Sequence, residues 1–124
     1  MKFWILTVTI ILGVIGGCKK VALTNCVKGK VVRITCASTV IQILDNDTLG
    51  VDGWLDHYGG NNIYYDNVFS TANKCDLPSN MNQGDIIWFT IDSPNGGRCM
   101  VCAMNDDHPG LMFNVKSISS SPCP

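Results

Sequence analysis

Residues 29–44 read GKVVRITCASTVIQIL, two apolar-rich runs joined by Ala37 and Ser38. In the first run Val32, Ile34 and Cys36 fall on one face and Val31, Arg33 and Thr35 on the other, because successive side chains of an extended strand point to opposite sides. Val, Ile and Thr dominate both runs, and their branched Cβ atoms suit a pleated surface. The stretch predicts a β-hairpin with strands at 29–36 and 39–44.

The same pattern continues along the chain at 63–71 (IYYDNVFST), 85–92 (DIIWFTID), 99–104 (CMVCAM) and 111–119 (LMFNVKSIS). Clusters of Gly, Asn, Asp, Ser and Pro separate these runs, and Asn95-Gly96-Gly97 supplies the positive-φ positions of a turn. No window repeats apolar residues at helical spacing. Several short strands must close or stack to hide their edges. The expected fold is therefore all-β, a small antiparallel barrel of five or six strands. The run Met81-Asn82-Gln83-Gly84-Asp85-Ile86-Ile87-Trp88-Phe89 resembles the turn and fourth strand of OB-type barrels, and GKVVRIT followed by TVIQIL is similar to their first hairpin. An OB-like barrel is the fold this resemblance implies.

The N-terminus carries an address. Lys2 precedes an apolar run at 3–15, short for a bilayer crossing of about 20 residues and suited to the core of a secretory signal. The run meets Ile15-Gly16-Gly17-Cys18, which resembles the lipobox of bacterial lipoproteins. That resemblance implies cleavage before Cys18 and lipidation of its sulfur. The expected organisation is a lipoprotein signal peptide at 1–17, a lipidated cysteine and tether at 18–25, and one β-barrel domain at 26–124. Lys19 and Lys20 follow the anchor with no acidic residue beside them. Acidic residues there resemble surface-export signals, so the expected location is the cell envelope, on the outer membrane facing the periplasm. The whole chain also resembles small uncharacterised lipoproteins of Bacteroidota-type bacteria. The likeness is carried by Cys26, Gly29-Lys30-Val31-Val32, Val40-Ile41-Gln42, Asn73-Lys74-Cys75, Gly84-Asp85 and Cys99-x-x-Cys102. It implies no activity.

From residue 18 onward, eight basic residues face ten aspartates and no glutamate. A net charge near −2 leaves no basic field for nucleic acid. The length allows one domain and leaves no room for a second catalytic or cofactor-binding one. Cys26, Cys36, Cys75, Cys99, Cys102 and Cys123 are even in number in a chain expected to be exported, which predicts three disulfides. Fifteen pairings exist, and spacing selects none of them. If 99–104 is a strand, the Cys99 and Cys102 side chains point to opposite faces and each pairs elsewhere.

The segment 45–62 is long for a hairpin loop and carries Trp54, His57 and Tyr58, with Tyr64 and Tyr65 just beyond. Long aromatic loops on barrels bind ligands. Trp54, His57, Tyr58 and Tyr65 are thus the candidate ligand-binding residues, set against a reading in which these aromatics fold over the barrel's open end as a lid. Asp45-Asn46-Asp47-Thr48-Leu49-Gly50 has the opening of a calcium loop, but Leu49 stands at a ligand position and no helices flank it. Polar turn chemistry accounts for it, and no metal site or cofactor is expected. Asp47-Thr48-Leu49 resembles the O-glycosylation acceptor of Bacteroidota, which makes Thr48 a candidate glycosylation site. With no Glu, two His, and neither G-x-S-x-G nor H-E-x-x-H, no catalytic residue can be assigned and no enzyme is expected. The expected function is a lipid-anchored, non-catalytic binding or structural module, its partners the membrane through the anchor and an envelope protein or glycan. Two alternatives stand beside it. Disulfide-bearing OB-like barrels resemble the tissue inhibitors of metalloproteases, although those present a free N-terminal cysteine amine. Cys99-x-x-Cys102 raises a thiol oxidoreductase, although it lacks the βα context that activates such a thiol.

Overall fold

A computed structural model describes residues 26–60, 62–95, 100–103 and 105–123. The expected signal peptide, lipidated Cys18 and tether, the glycines of the expected turn at 95–97, and Cys99 lie outside the described residues.

Among the described residues seven strands form in order: β1 Val27–Ile34, β2 Thr39–Ile43, β3 Trp54–Asp56, β4 Ile63–Tyr65, β5 Val68–Thr71, β6 Ile86–Asp92 and β7 Met112–Ser119. Five close a barrel in the order β1-β2-β5-β7-β6, and β3 and β4 form a separate two-stranded sheet. Four of the barrel's neighbour pairs are antiparallel, and β5 with β7 is parallel. The barrel strands thus neighbour one another as first, second, third, fifth, fourth and back to first, which is the OB-like topology.

The interior is filled by Val27, Val31, Ile41, Ile43, Phe69, Ile87, Phe89, Ile91 and Val115. Phe69 meets Phe113 edge-on at 5.3 Å. Gly29 sits among these side chains, and a Cβ there would lie 2.8 Å from both Ile41 and Phe89. Leu77 and Met81, from the connection between β5 and β6, pack against the same cluster. β6 alternates buried and solvent-facing residues, as a strand wet on one side must. β2 and β5 do not alternate; their outer face is covered as well. The cover is the β3–β4 hairpin, which packs Trp54 on Val32, Val40 and Val68, with Val51 and Tyr65 beside them.

Three expectations need correction. First, Val31 and Arg33 do not share a face. Val31 pairs with Ile41 and Arg33 with Val40, so Val32 is an extra residue in the ladder. This β-bulge moves Arg33 from the interior side, where unbroken alternation would put it, to the outer side beside Val32. Second, 63–71 is two strands in two different sheets. The break falls at Asn67, whose φ of 60° ends the extended run. Its side chain accepts from the Gly50 amide and donates to the Ile43 and Asn46 carbonyls, tying the loop after β2 to β5. Third, 100–103 is not a strand but irregular and exposed, with Met100 96% exposed. Its apolar letters reflect a disulfide-held loop.

Disulfides join Cys26 to Cys123 and Cys36 to Cys102, and Cys75 is disulfide-bonded too. Cys102 therefore pairs away from Cys99, as expected, but inside a loop.

Candidate functional site

The outer side of the bulge is the most chemically dense place among the described residues. Arg33, 2% exposed, reaches four residues from three parts of the chain. Its Nη1 donates to Asp56 Oδ1 at 2.9 Å, and its Nη2 pairs with Asp106 Oδ1 at 2.8 Å. Nη2 also donates to the Asp107 carbonyl at 2.6 Å and to Ser38 Oγ at 3.3 Å. A guanidinium serves several acceptors in one plane with five N–H donors, whereas a lysine offers three from a single nitrogen. Its flat face lies 4.7 Å from the Trp54 ring centroid and 6.0 Å from that of Tyr58. A buried arginine demands such partners, because an isolated buried charge is costly.

Asp106 is held from the other side by the hydroxyls of Thr35 and Ser38, both donating to Oδ2. Burial alone would push its carboxyl up. The hydroxyls of Ser38 and Thr35, then the charges of Arg33 and His108, outweigh burial and hold it below the usual carboxylate value. The cluster clamps the β1–β2 turn, the hairpin and the loop before β7 to one another, and Cys36–Cys102 adds a covalent tie between that turn and that loop.

OB-type barrels bind ligands on the outer face of their second and third strands and on the loops joining strands one to two and four to five. In this chain that face belongs to β2 and β5 and is filled by its own hairpin. The lid reading of the aromatic segment is therefore right in kind, but the lid lies on the barrel's flank.

The candidate ligand-binding residues divide accordingly. Trp54 is buried at 9% exposure and stacks on half-buried Tyr65, ring centroids 6.1 Å apart. Tyr58 and His57 stay in solvent, His57 Nδ1 lying 3.1 Å from Asn62 Oδ1. Tyr58 is 52% exposed, Tyr64 70% and Ile63 45%, so the hairpin offers aromatic and apolar side chains to solvent, Tyr64 on the side of Leu55 and Ile63 on the side of Trp54 and Asp56. Tyr64 takes the place on this surface that sequence reasoning gave to Tyr65. The pairing Leu55 with Tyr64 and Trp54 with Tyr65 decides which tyrosine faces out.

Thr48 is exposed in a turn, its amide and hydroxyl both donating to Asn46 Oδ1. Asp45 Oδ2 accepts from the Lys28 amide at 3.0 Å, so the 45–50 loop is held by polar bonds within itself and to β1. Among the described residues no group of three His, Cys, Asp or Glu is arranged to hold a metal ion. Comparison with protein families and with curated proteins finds no match.

Proposed function

We propose that this protein is a lipid-anchored, non-catalytic binding module of the cell envelope, on the outer membrane facing the periplasm, and that its ligand is a saccharide held on the outward face of the β3–β4 hairpin. One observation carries the reading. Two tyrosines, Tyr58 and Tyr64, stand 52% and 70% exposed on a hairpin whose base is locked to the barrel through Arg33. Exposed rings that a folded base holds in place offer flat apolar area at little entropic cost. Such area suits the apolar faces of sugar rings, and His57 and Asn62 beside it suit their hydroxyls.

The position of the hairpin supports the same reading. Cys26 immediately precedes β1, where the tether from Cys18 would enter, and Arg33 lies near the other end of that strand. Seven residues at about 3.3 Å each separate them by about 23 Å. The aromatic surface, next to Arg33, would stand on the barrel's flank towards the end away from the anchor.

The test is co-sedimentation with purified peptidoglycan and binding to an envelope polysaccharide array. Wild type should bind, and Tyr58→Ala combined with Tyr64→Ala should lose at least about tenfold in affinity while unfolding at the same urea concentration. Absence of saccharide binding by wild type, or undiminished binding by the double variant, overturns the proposal.

A further inference from the structure

A second, independent feature lies at the end of the barrel crossed by the β5–β6 connection. There a pocket of about 200 Å³ opens between the ends of β1 and β2 and that connection. Ile34, Leu77, Pro78 and Met81 give it apolar walls, and its polar groups are Thr39, Lys74 and Ser79.

Lys74 is unusual in its setting. Its ammonium lies 3.5 Å from Thr39 Oγ1, a hydroxyl on a residue only 1% exposed. No carboxylate lines the pocket, and none of the ion pairs among the described residues includes Lys74. The backbone on either side is fixed. Asn73 donates to the Val115 carbonyl and accepts from the Val115 amide, both at 2.8 Å, and Cys75 is in a disulfide. A cation on fixed backbone, with one neutral partner and a half-enclosed space before it whose lining is more polar than apolar, is complementary to an anion, and the side chains of Ile34, Leu77 and Met81 beside it suit a short apolar group on that anion.

We propose that the Lys74 pocket binds a carboxylate bearing a short apolar tail. The carboxylate meets the ammonium and the hydroxyls of Thr39 and Ser79, and the tail lies against Ile34, Leu77 and Met81. A free short-chain acid and the carboxyl end of a peptide share this chemistry.

The experiment titrates the folded protein with butyrate, acetate, uncharged butyramide and N-acetylvaline, following backbone amide resonances. Butyrate should give saturable shifts centred on Thr39, Lys74 and Ser79. It should bind about tenfold more tightly than acetate, since each buried methylene adds a few-fold, and butyramide should give none. Lys74→Met should weaken butyrate at least about tenfold, whereas Lys116→Met, at a surface ion pair, should not change it. N-acetylvaline binding more tightly than butyrate assigns the site to a peptide end, and the reverse order to a free acid. The proposal is overturned by an unsaturable response in wild type, by shifts centred elsewhere, by equal binding of butyramide, or by undiminished binding in Lys74→Met. The wild-type shift map and the butyramide comparison decide the matter even if that variant fails to fold.

Discussion

Arg33 and Asp106 are 73 residues apart in the chain and 2.8 Å apart in space, with side chains each about 3% exposed. Around that contact the barrel, the hairpin and the loop before β7 are joined.

Removing the cation should therefore be severe. Arg33→Met leaves Asp56 and Asp106 buried without their counter-charge, and a broken buried pair costs about 3–5 kcal/mol. Urea denaturation should show a loss of that size. A loss below about 1 kcal/mol would mean that the cluster is solvated in solution.

The same cluster sets an acid limit. The folded Asp106 carboxyl titrates below its ordinary value of 3.8, so its contribution is complete above that pH and is lost as pH falls through the folded value. The stability gap between wild type and Asp106→Asn should be widest at neutral pH and shrink as pH drops below about 4. A gap independent of pH across that range would contradict the assignment.

Two aromatic substitutions ten residues apart should separate support from surface. Trp54→Ala removes the buried ring that packs on Val32, Val40 and Val68 and should destabilise by about 3 kcal/mol. Tyr64→Ala, at 70% exposure, should stay within about 0.5 kcal/mol of wild type. Thermal melts of both variants test the contrast.

Cys26–Cys123 and Cys36–Cys102 enclose sequence separations of 97 and 66 residues, so loop entropy alone gives each about 4–5 kcal/mol. Their local effects should differ. Opening Cys36–Cys102 with paired Ser substitutions should raise hydrogen exchange at 105–108 and around Arg33, and opening Cys26–Cys123 should leave those amides protected.

Only the sulfur of Cys18 fits the lipobox-like motif, so Cys18→Ala should abolish incorporation of labelled fatty acid and release the protein from membranes. A variant that is still labelled would remove the anchor from the proposed function.

The barrel was legible because its strands carry alternation or dense β-branched runs: β1, β2, β6 and β7 were all expected within two residues of their ends. The bulge at Val32 was not legible. Nothing in VVRIT says where the ladder gains a residue, and one extra residue reverses the face of Arg33. The break in 63–71 did leave a signal, since Asp66-Asn67 is turn chemistry inside a strand-like run. The Arg33 cluster was half legible. A lone arginine among apolar strand residues calls for carboxylates, but choosing Asp56 and Asp106 from ten aspartates requires the fold.

The parallel seam between β5 and β7 also fixes an order of assembly. β7 is the last strand in the chain and is inserted between β5 and β6. Until it arrives, the other four barrel strands can form only an open sheet, β5-β2-β1-β6, with two raw edges. The wall is finished from the carboxyl end, and Cys123, just beyond β7, then bonds to Cys26 just before β1. That bond fastens the first barrel strand to the last, so an unfinished or C-terminally clipped chain has no means of sealing itself.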